Sequence, residues 1–260
     1  MSDHLLVERR GEVAVVVLNK IDSHNAISID MYRDLPGIVR DLDADKGVKV
    51  VVFRGAGQKA FASGADISEF ERERGNAEAA RNYNEHVAAA ERAIEGMSKP
   101  TIAMIHGYCI GGGAGLALSC DIRFADTRGR FAITPSKLGL VYSLESTKRV
   151  VDLAGPSRAK WILMSGQQIQ AERALQLGLF DEVYPVEELE TATFEFAQLL
   201  TTRAQVSVRA GKAMVRRVVT GQVADDEETT AIRNDSFGTD DYAEGFRSFL
   251  EKRAPRFTWS

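Results

Sequence analysis

The chain has only two cysteines, Cys109 and Cys120, and four histidines in 260 residues. Two thiols cannot build the cross-linked framework of a small secreted domain, and both lie in an apolar, small-residue context. His24, His86 and His106 show no metal-ligand spacing to cysteines or carboxylates, so no metal site is expected. An excess of one charge is also missing: 33 Lys and Arg stand against 37 Asp and Glu, for a formal charge of −4. That balance offers no basic footprint for nucleic acid, and no apolar run reaches the roughly 18 residues of a membrane span. The opening Met1-Ser-Asp-His-Leu-Leu-Val lacks the basic region and apolar core of an export signal. A cytoplasmic protein whose partners are small molecules or copies of itself is expected.

Strand and helix patterns alternate. Val13 to Leu18 and Val48 to Phe53 are β-branched runs of strand length, and Ile29 to Leu42 between them has helical spacing. Thr101 to Ile105, Asp121 to Ala125 and Phe131 to Thr134 are further strand candidates. This order predicts an α/β domain with parallel strands joined through helices. After Pro185 the character changes: Val186 to Arg203, Gln205 to Val219 and Asp225 to Phe237 all read as helices. The expected division is a core over 1–195 and a helical region over 196–260. The charged stretch Glu69 to Glu85 reads as a solvated loop or helix.

Two small-residue loops carry the chemistry. Gly111, Gly112 and Gly113 follow an apolar strand pattern and open a helical one. Glycines let backbone approach a ligand closely, and a helix's first turn leaves N–H groups unpaired at the positive end of its dipole. Tight helix-on-strand packing is the other use of such a triplet. The second loop, within Lys59-Ala-Phe-Ala-Ser-Gly-Ala-Asp-Ile67, also joins a strand to a helix-prone stretch. Two such turns converging on one oxygen would make an oxyanion hole.

Phe61-Ala-Ser-Gly-Ala-Asp-Ile67, Gly107-Tyr-Cys-Ile-Gly-Gly-Gly113 and Cys120-Asp121 together resemble the crotonase (enoyl-CoA hydratase/isomerase) superfamily. Asn25-Ala26, Leu138-Gly139, the segment 171–183 and the segment 244–253 extend the resemblance over essentially the whole chain. It implies a spiral of ββα units, a C-terminal helical region that assembles a homotrimer or a dimer of trimers, and an acyl-CoA substrate with no separate cofactor. By motif position, the backbone N–H groups of Ser63 and Gly112 hold the thioester oxygen as it becomes an enolate. Asn25, Ala26, Gly64, Ala65, Asp66 and Ile67 are placed at the coenzyme A, and Lys252 near its phosphates. Asp66 also suits a helix N-cap.

Hydratases of this kind use two glutamates, and both positions are altered: Gly115 stands at the first and Pro135 at the second. Each well-placed acid or base is worth roughly a hundred- to ten-thousandfold, so efficient standard hydration is not expected. Thr134-Pro135 with Leu138-Gly-Leu-Val-Tyr142 is similar to the methylmalonyl-CoA decarboxylase branch, in which loss of carbon dioxide generates the enolate without a base. Thr134 and Tyr142 would face the substrate, although Ala65 and Gly115 replace a histidine and a glutamate of that branch. A lyase, with malonyl-type decarboxylation foremost, is the expected activity. Tyr142 is either a substrate-orienting hydroxyl or a wall of the acyl pocket. Glu145 is either a carboxylate entering the pocket, serving an atypical hydratase or isomerase, or a first-turn acid favoured by the helix dipole. A catalytically silent acyl-CoA-binding protein is the remaining reading.

Overall fold

A computed structural model describes residues 3–258. β1 (Leu5–Arg10) and β2 (Val13–Leu18) form an antiparallel pair at one edge of a six-stranded sheet. β1 keeps Glu8, Arg9 and Arg10 exposed, which protects that edge, whereas every residue of β2 is buried. α1 (Ile29–Ala44) follows, capped by the Ser28 hydroxyl accepting from the Met31 N–H, and its buried stripe includes Met31, Tyr32, Leu35 and Val39.

Three ββα turns come next. In each, the first strand joins the large sheet, the second joins a smaller sheet, and a helical segment follows. β3 (Val50–Gly55) leads to β4 (Ala60–Ala62), α2 (Phe70–Arg74) and α3 (Ala77–Gly96). β5 (Thr101–Ile105) leads to β6 (Tyr108–Ile110) and α4 (Gly112–Ser119). β7 (Ile122–Asp126) leads to β8 (Arg130–Ala132), α5 (Leu144–Ala154) and α6 (Pro156–Ser165). β9 (Ile169–Gln170) closes the small sheet, and α7 (Ala171–Gln176) carries the chain to β10 (Glu182–Tyr184) at the far edge of the large one. The sheet orders are β1-β2-β3-β5-β7-β10 and β4-β6-β8-β9. All pairs after β1·β2 in the large sheet are parallel, and buried aliphatic runs are what a sheet covered on both faces requires.

α8 (Leu189–Thr201) packs Leu189 and Ala197 on Val50, Val52, Ile102 and Phe124 of the large sheet. The expected boundary at 195/196 therefore falls inside a helix that belongs to the core by packing. α9 (Gln205–Val219), α10 (Glu227–Asp235) and α11 (Asp240–Leu250) complete the helical end, and no strand follows β10 among the described residues.

The acidic stretch after Glu69 is more ordered than its charge suggests. Asn76 caps α3 by accepting from the N–H groups of Glu78 and Ala79, and Tyr83 on this helix is buried. One face of α3 carries Tyr83, Val87, Ala90, Glu91 and Ile94 toward the core, the i, i+4, i+7 spacing of a single helical stripe.

Candidate active site

The two small-residue loops meet because β4 and β6 are parallel neighbours, with Ala60 opposite Tyr108 and Ala62 opposite Cys109. The turns that leave them emerge side by side. Gly111 takes φ +53°, a conformation costly for side-chain-bearing residues, and Gly113 fits so closely on β4 that a Cβ there would lie 2.6 Å from the Ala62 carbonyl oxygen.

One expected donor is displaced. The Ser63 N–H is already committed to the His24 carbonyl at 3.0 Å, and the Ser63 hydroxyl donates to the Ser23 carbonyl. Ile27 bridges this loop by donating to the Gly64 carbonyl and accepting from the Asp66 N–H, which turns the intervening Ala65 N–H to the opposite side. The Ala65 nitrogen lies 3.5 Å from where a Cβ on Gly112 would stand. Neither the Ala65 nor the Gly112 N–H has a hydrogen-bond partner among the described residues. Two unsatisfied donors beside a helix N-terminus form a site for an oxygen that gains negative charge. The unpartnered pair is Ala65 with Gly112, the Ser63 N–H being taken by the His24 carbonyl.

The neighbouring loop residues divide into exposed ones and ones consumed in internal hydrogen bonds. Asn25 is buried with φ +57°, donates to the Ala56 and Ala60 carbonyls and accepts from the Lys20 N–H. Its amide is consumed in holding the β3–β4 loop; Ala26 beside it is buried. Asp66 caps the 67–69 turn through Ser68 and is paired with Lys20. Burial works to raise its pKa, but the hydrogen bonds from Lys20 and Ser68 outweigh it and hold the carboxyl below the usual range. Ile67 is 68 % exposed, an apolar side chain offered to solvent at the loop tip. Lys252 lies after α11, exposed, and among the described residues no hydrogen bond or ion pair joins it to the 63–67 loop.

Of the two readings of Glu145, the structure fits the first-turn acid, since the residue stands in the first turn of α5. Its carboxylate takes a bidentate pair of hydrogen bonds from Arg92 at 2.8 and 2.9 Å, with about half its side-chain surface exposed. The bond from Arg92, across 53 residues of chain, holds it at the outer junction of α3 and α5 instead of over the glycine loop.

The inward-facing acid at that junction is Glu91, which is 4 % exposed. Its Oε2 accepts from the Ser146 hydroxyl at 2.8 Å and from Arg149 at 2.5 Å. Its Oε1 accepts no hydrogen bond among the described residues, and lies 2.3 Å from where a Cβ on Gly115 would stand. The Tyr142 hydroxyl is 3.7 Å from the same point and is buried, with no partner in hydrogen-bond geometry among the described residues. Burial, and then the Glu91 charge, push the Tyr142 phenol well above its ordinary pKa. One turn back on α4, a Cβ on Gly112 would lie 2.2 Å from the Tyr32 hydroxyl. Tyr32 is likewise raised, first by burial and then by Tyr83 and Glu91. The Thr134 hydroxyl stands 3.4 Å from the corresponding point on Gly111.

A sequence model described as enoyl-CoA hydratase/isomerase matches residues 8–259. The chain belongs to this family. It is 32 % identical to the short-chain-enoyl-CoA hydratase of Clostridium acetobutylicum, with 96 % of each chain covered. With the crotonyl-CoA hydratase of Syntrophomonas wolfei it shares 31 % identity over 98 % of each. A crystal structure from Hyphomonas neptunium, described as an enoyl-CoA hydratase/isomerase family protein, superposes with a TM-score of 0.96 at 38 % identity over 99 % of this chain and 98 % of that one.

Beside Gly115 stands a buried carboxylate that the motifs do not announce. Glu91 and Tyr32 lie on helices flanking the motif-bearing loops. The signal for Glu91 was nonetheless present: it is the lone acid on the apolar stripe shared by Tyr83, Ala90 and Ile94.

Proposed function

We propose that this enoyl-CoA hydratase/isomerase family member binds an acyl-CoA and stabilises its thioester enolate between the Ala65 and Gly112 N–H groups. The observation that carries the reading is the adjacent pair of unpartnered backbone donors at the N-terminus of α4. Removing one such donor typically costs about a hundred- to a thousandfold in rate. Asp66, with Ile67 exposed beside it, and Lys252 are the proposed contacts of the coenzyme A. Because Gly115 and Pro135 carry no carboxylate, crotonyl-CoA hydration by the two-glutamate route is slow.

Decarboxylation is the second reading, favoured by the buried, unpartnered Tyr142 hydroxyl near Gly115. There the bond from the α-carbon to the carboxylate breaks, its electron pair enters the enolate, carbon dioxide leaves, and the α-carbon takes a proton. The negative charge of Glu91 beside that hydroxyl repels a second carboxylate, which places this reading behind proton transfer.

A panel of saturated, 2-enoyl, 3-enoyl and malonyl-type thioesters incubated in D2O and followed by mass spectrometry tests the proposal. Deuterium at an α-carbon, isomerisation or loss of carbon dioxide supports an enolate, whereas binding with none of them identifies a silent acyl-CoA-binding protein.

The helical end exposes Val215 and Val218 of α9 and Phe246, Phe249 and Leu250 of α11. Exposed apolar side chains of this kind are what an assembly interface would cover, and a homotrimer or a dimer of trimers is proposed. A solution mass that is not a multiple of three chains contradicts it. No described helix is long and apolar enough to cross a membrane, and the free, buried Cys109 and Cys120 suit the reducing cytoplasm.

A further inference from the structure

We propose that Glu91 of α3 is the catalytic carboxylate, reaching the substrate through the space left by the missing side chain of Gly115. The inference rests on the enolate reading and names the group that makes or quenches that enolate.

Four observations converge. Glu91 is the buried acid whose Oε1 lies 2.3 Å from the point where a side chain on Gly115 would begin. Gly112 and Gly115 are three residues apart on α4, so the oxyanion donor and the carboxylate share one face of the helix, separated by about one turn. Glu91 uses only one oxygen structurally: Oε2 is anchored by Ser146 and Arg149, leaving Oε1 without a protein partner among the described residues. Arg149 is itself braced by Glu95 at 2.6 Å, which fixes the carboxylate's orientation from behind. An anchored oxygen and a free one are what a general base needs, because rotamer freedom would spoil its aim.

One carboxylate and one oxyanion hole suffice for a 1,3-proton shift in a 3-enoyl thioester. Glu91 takes the proton from C2, the electron pair of the C2–H bond forms a C1–C2 double bond, and the carbonyl π pair moves onto the thioester oxygen held by Ala65 and Gly112, giving a dienolate conjugated with the C3–C4 double bond. The protonated carboxyl then gives its proton to C4, the C2–C3 double bond forms, and Glu91 is again a carboxylate. No oxidant, reductant or water is consumed. With a saturated thioester, the first half of the cycle run in D2O exchanges the α-proton.

The test compares full-length wild type, Glu91→Gln, and the double variant Glu91→Ala/Gly115→Glu, which returns the carboxylate to α4. Isomerisation of 3-hexenoyl-CoA is read by the absorbance of the conjugated thioester, and α-exchange of butyryl-CoA by mass spectrometry. Glu91→Gln keeps the shape and an acceptor for Arg149, so rates should fall about a hundred- to ten-thousandfold while butyryl-CoA affinity changes less than tenfold. The double variant should regain at least tenfold over Glu91→Gln, and it decides the question if the single variant does not fold. Exchange by wild type that Glu91→Gln retains within tenfold overturns the role of Glu91 and leaves the enolate reading intact. Carbon dioxide release from a malonyl-type thioester without α-exchange has the same consequence. A wild type that binds thioesters but neither exchanges, isomerises nor decarboxylates them overturns both.

Discussion

Glu91 and Gly115 are complementary: the carboxylate of one occupies the space that a side chain on the other would fill, with Oε1 2.3 Å from the absent Cβ. An acid of α3 thus stands against a position of α4 that carries no side chain. This relationship makes the two positions interdependent, and their variants should be strongly non-additive.

Gly115→Glu alone should be destabilising and inactive, since the new side chain starts inside the Glu91 carboxylate and adds a second buried negative charge. The cost is roughly 1 to 3 kcal/mol from overpacking, and removal of Glu91 in the same chain should recover most of it. Thermal unfolding of the single and double variants measures this; equal melting temperatures for Gly115→Glu and wild type would show that the two residues do not compete for space.

Gly112→Pro removes an oxyanion donor, but a ring at this position meets the Tyr32 hydroxyl, which a Cβ would approach to 2.2 Å. The clean comparison is therefore made in a Tyr32→Phe chain, where the nearest Tyr32 ring carbon is 3.6 Å away. Turnover should drop about a hundred- to a thousandfold relative to Tyr32→Phe, measured as kcat on whichever thioester the wild type turns over.

Two neighbouring ion pairs should behave oppositely. Arg92 with Glu145 is half-exposed, so Glu145→Gln should change stability by no more than ~1 kcal/mol and leave turnover within about twofold. Arg149 with Glu91 is buried, with 8 % and 6 % of the side chains exposed, and Arg149→Met strands a carboxylate in the core. That loss should cost roughly 3 to 5 kcal/mol. Urea unfolding midpoints of both variants check the contrast.

The C-terminal tail should loosen in acid. Glu244 accepts from Arg253 and from the Arg256 N–H, and these hydrogen bonds bring its pKa down from the ordinary 4.5 to about 2. A carboxylate depressed in the folded state stabilises fully above its unfolded pKa and loses that contribution as pH falls toward the folded value. Proteolysis of the tail should therefore accelerate between pH 4.5 and about 2 in wild type, and Glu244→Gln should remove that dependence.

Much of the scaffold was legible in the chain. The β-branched run Val13–Leu18 and the apolar run Thr101–Ile105 are strands with the expected limits, and the two glycine-bearing loops do converge. The three-residue strands β4 and β6 are too short for periodicity to define, because their stability comes from lateral pairing, whereas the candidate Phe131 to Thr134 overlaps β8. The displaced donor has a similar cause. Whether Ser63 or Ala65 keeps its N–H free is decided by His24 and Ile27, which lie far from both in sequence. Glu145 looked available because local sequence cannot show that Arg92 captures it from another helix. Glu91 was visible as an acid on an apolar stripe, but the destination of that stripe follows only from how α3 packs on α4.

The most direct test of the oxyanion hole is the carbonyl stretch of a 13C-labelled acyl-CoA bound to the protein, followed by isotope-edited infrared spectroscopy. Donation from Ala65 and Gly112 should move the band below its position in water, and the shift should shrink in Gly112→Pro/Tyr32→Phe relative to Tyr32→Phe. A bound thioester whose carbonyl band stays at its aqueous frequency in the wild type would contradict an oxyanion hole at this site.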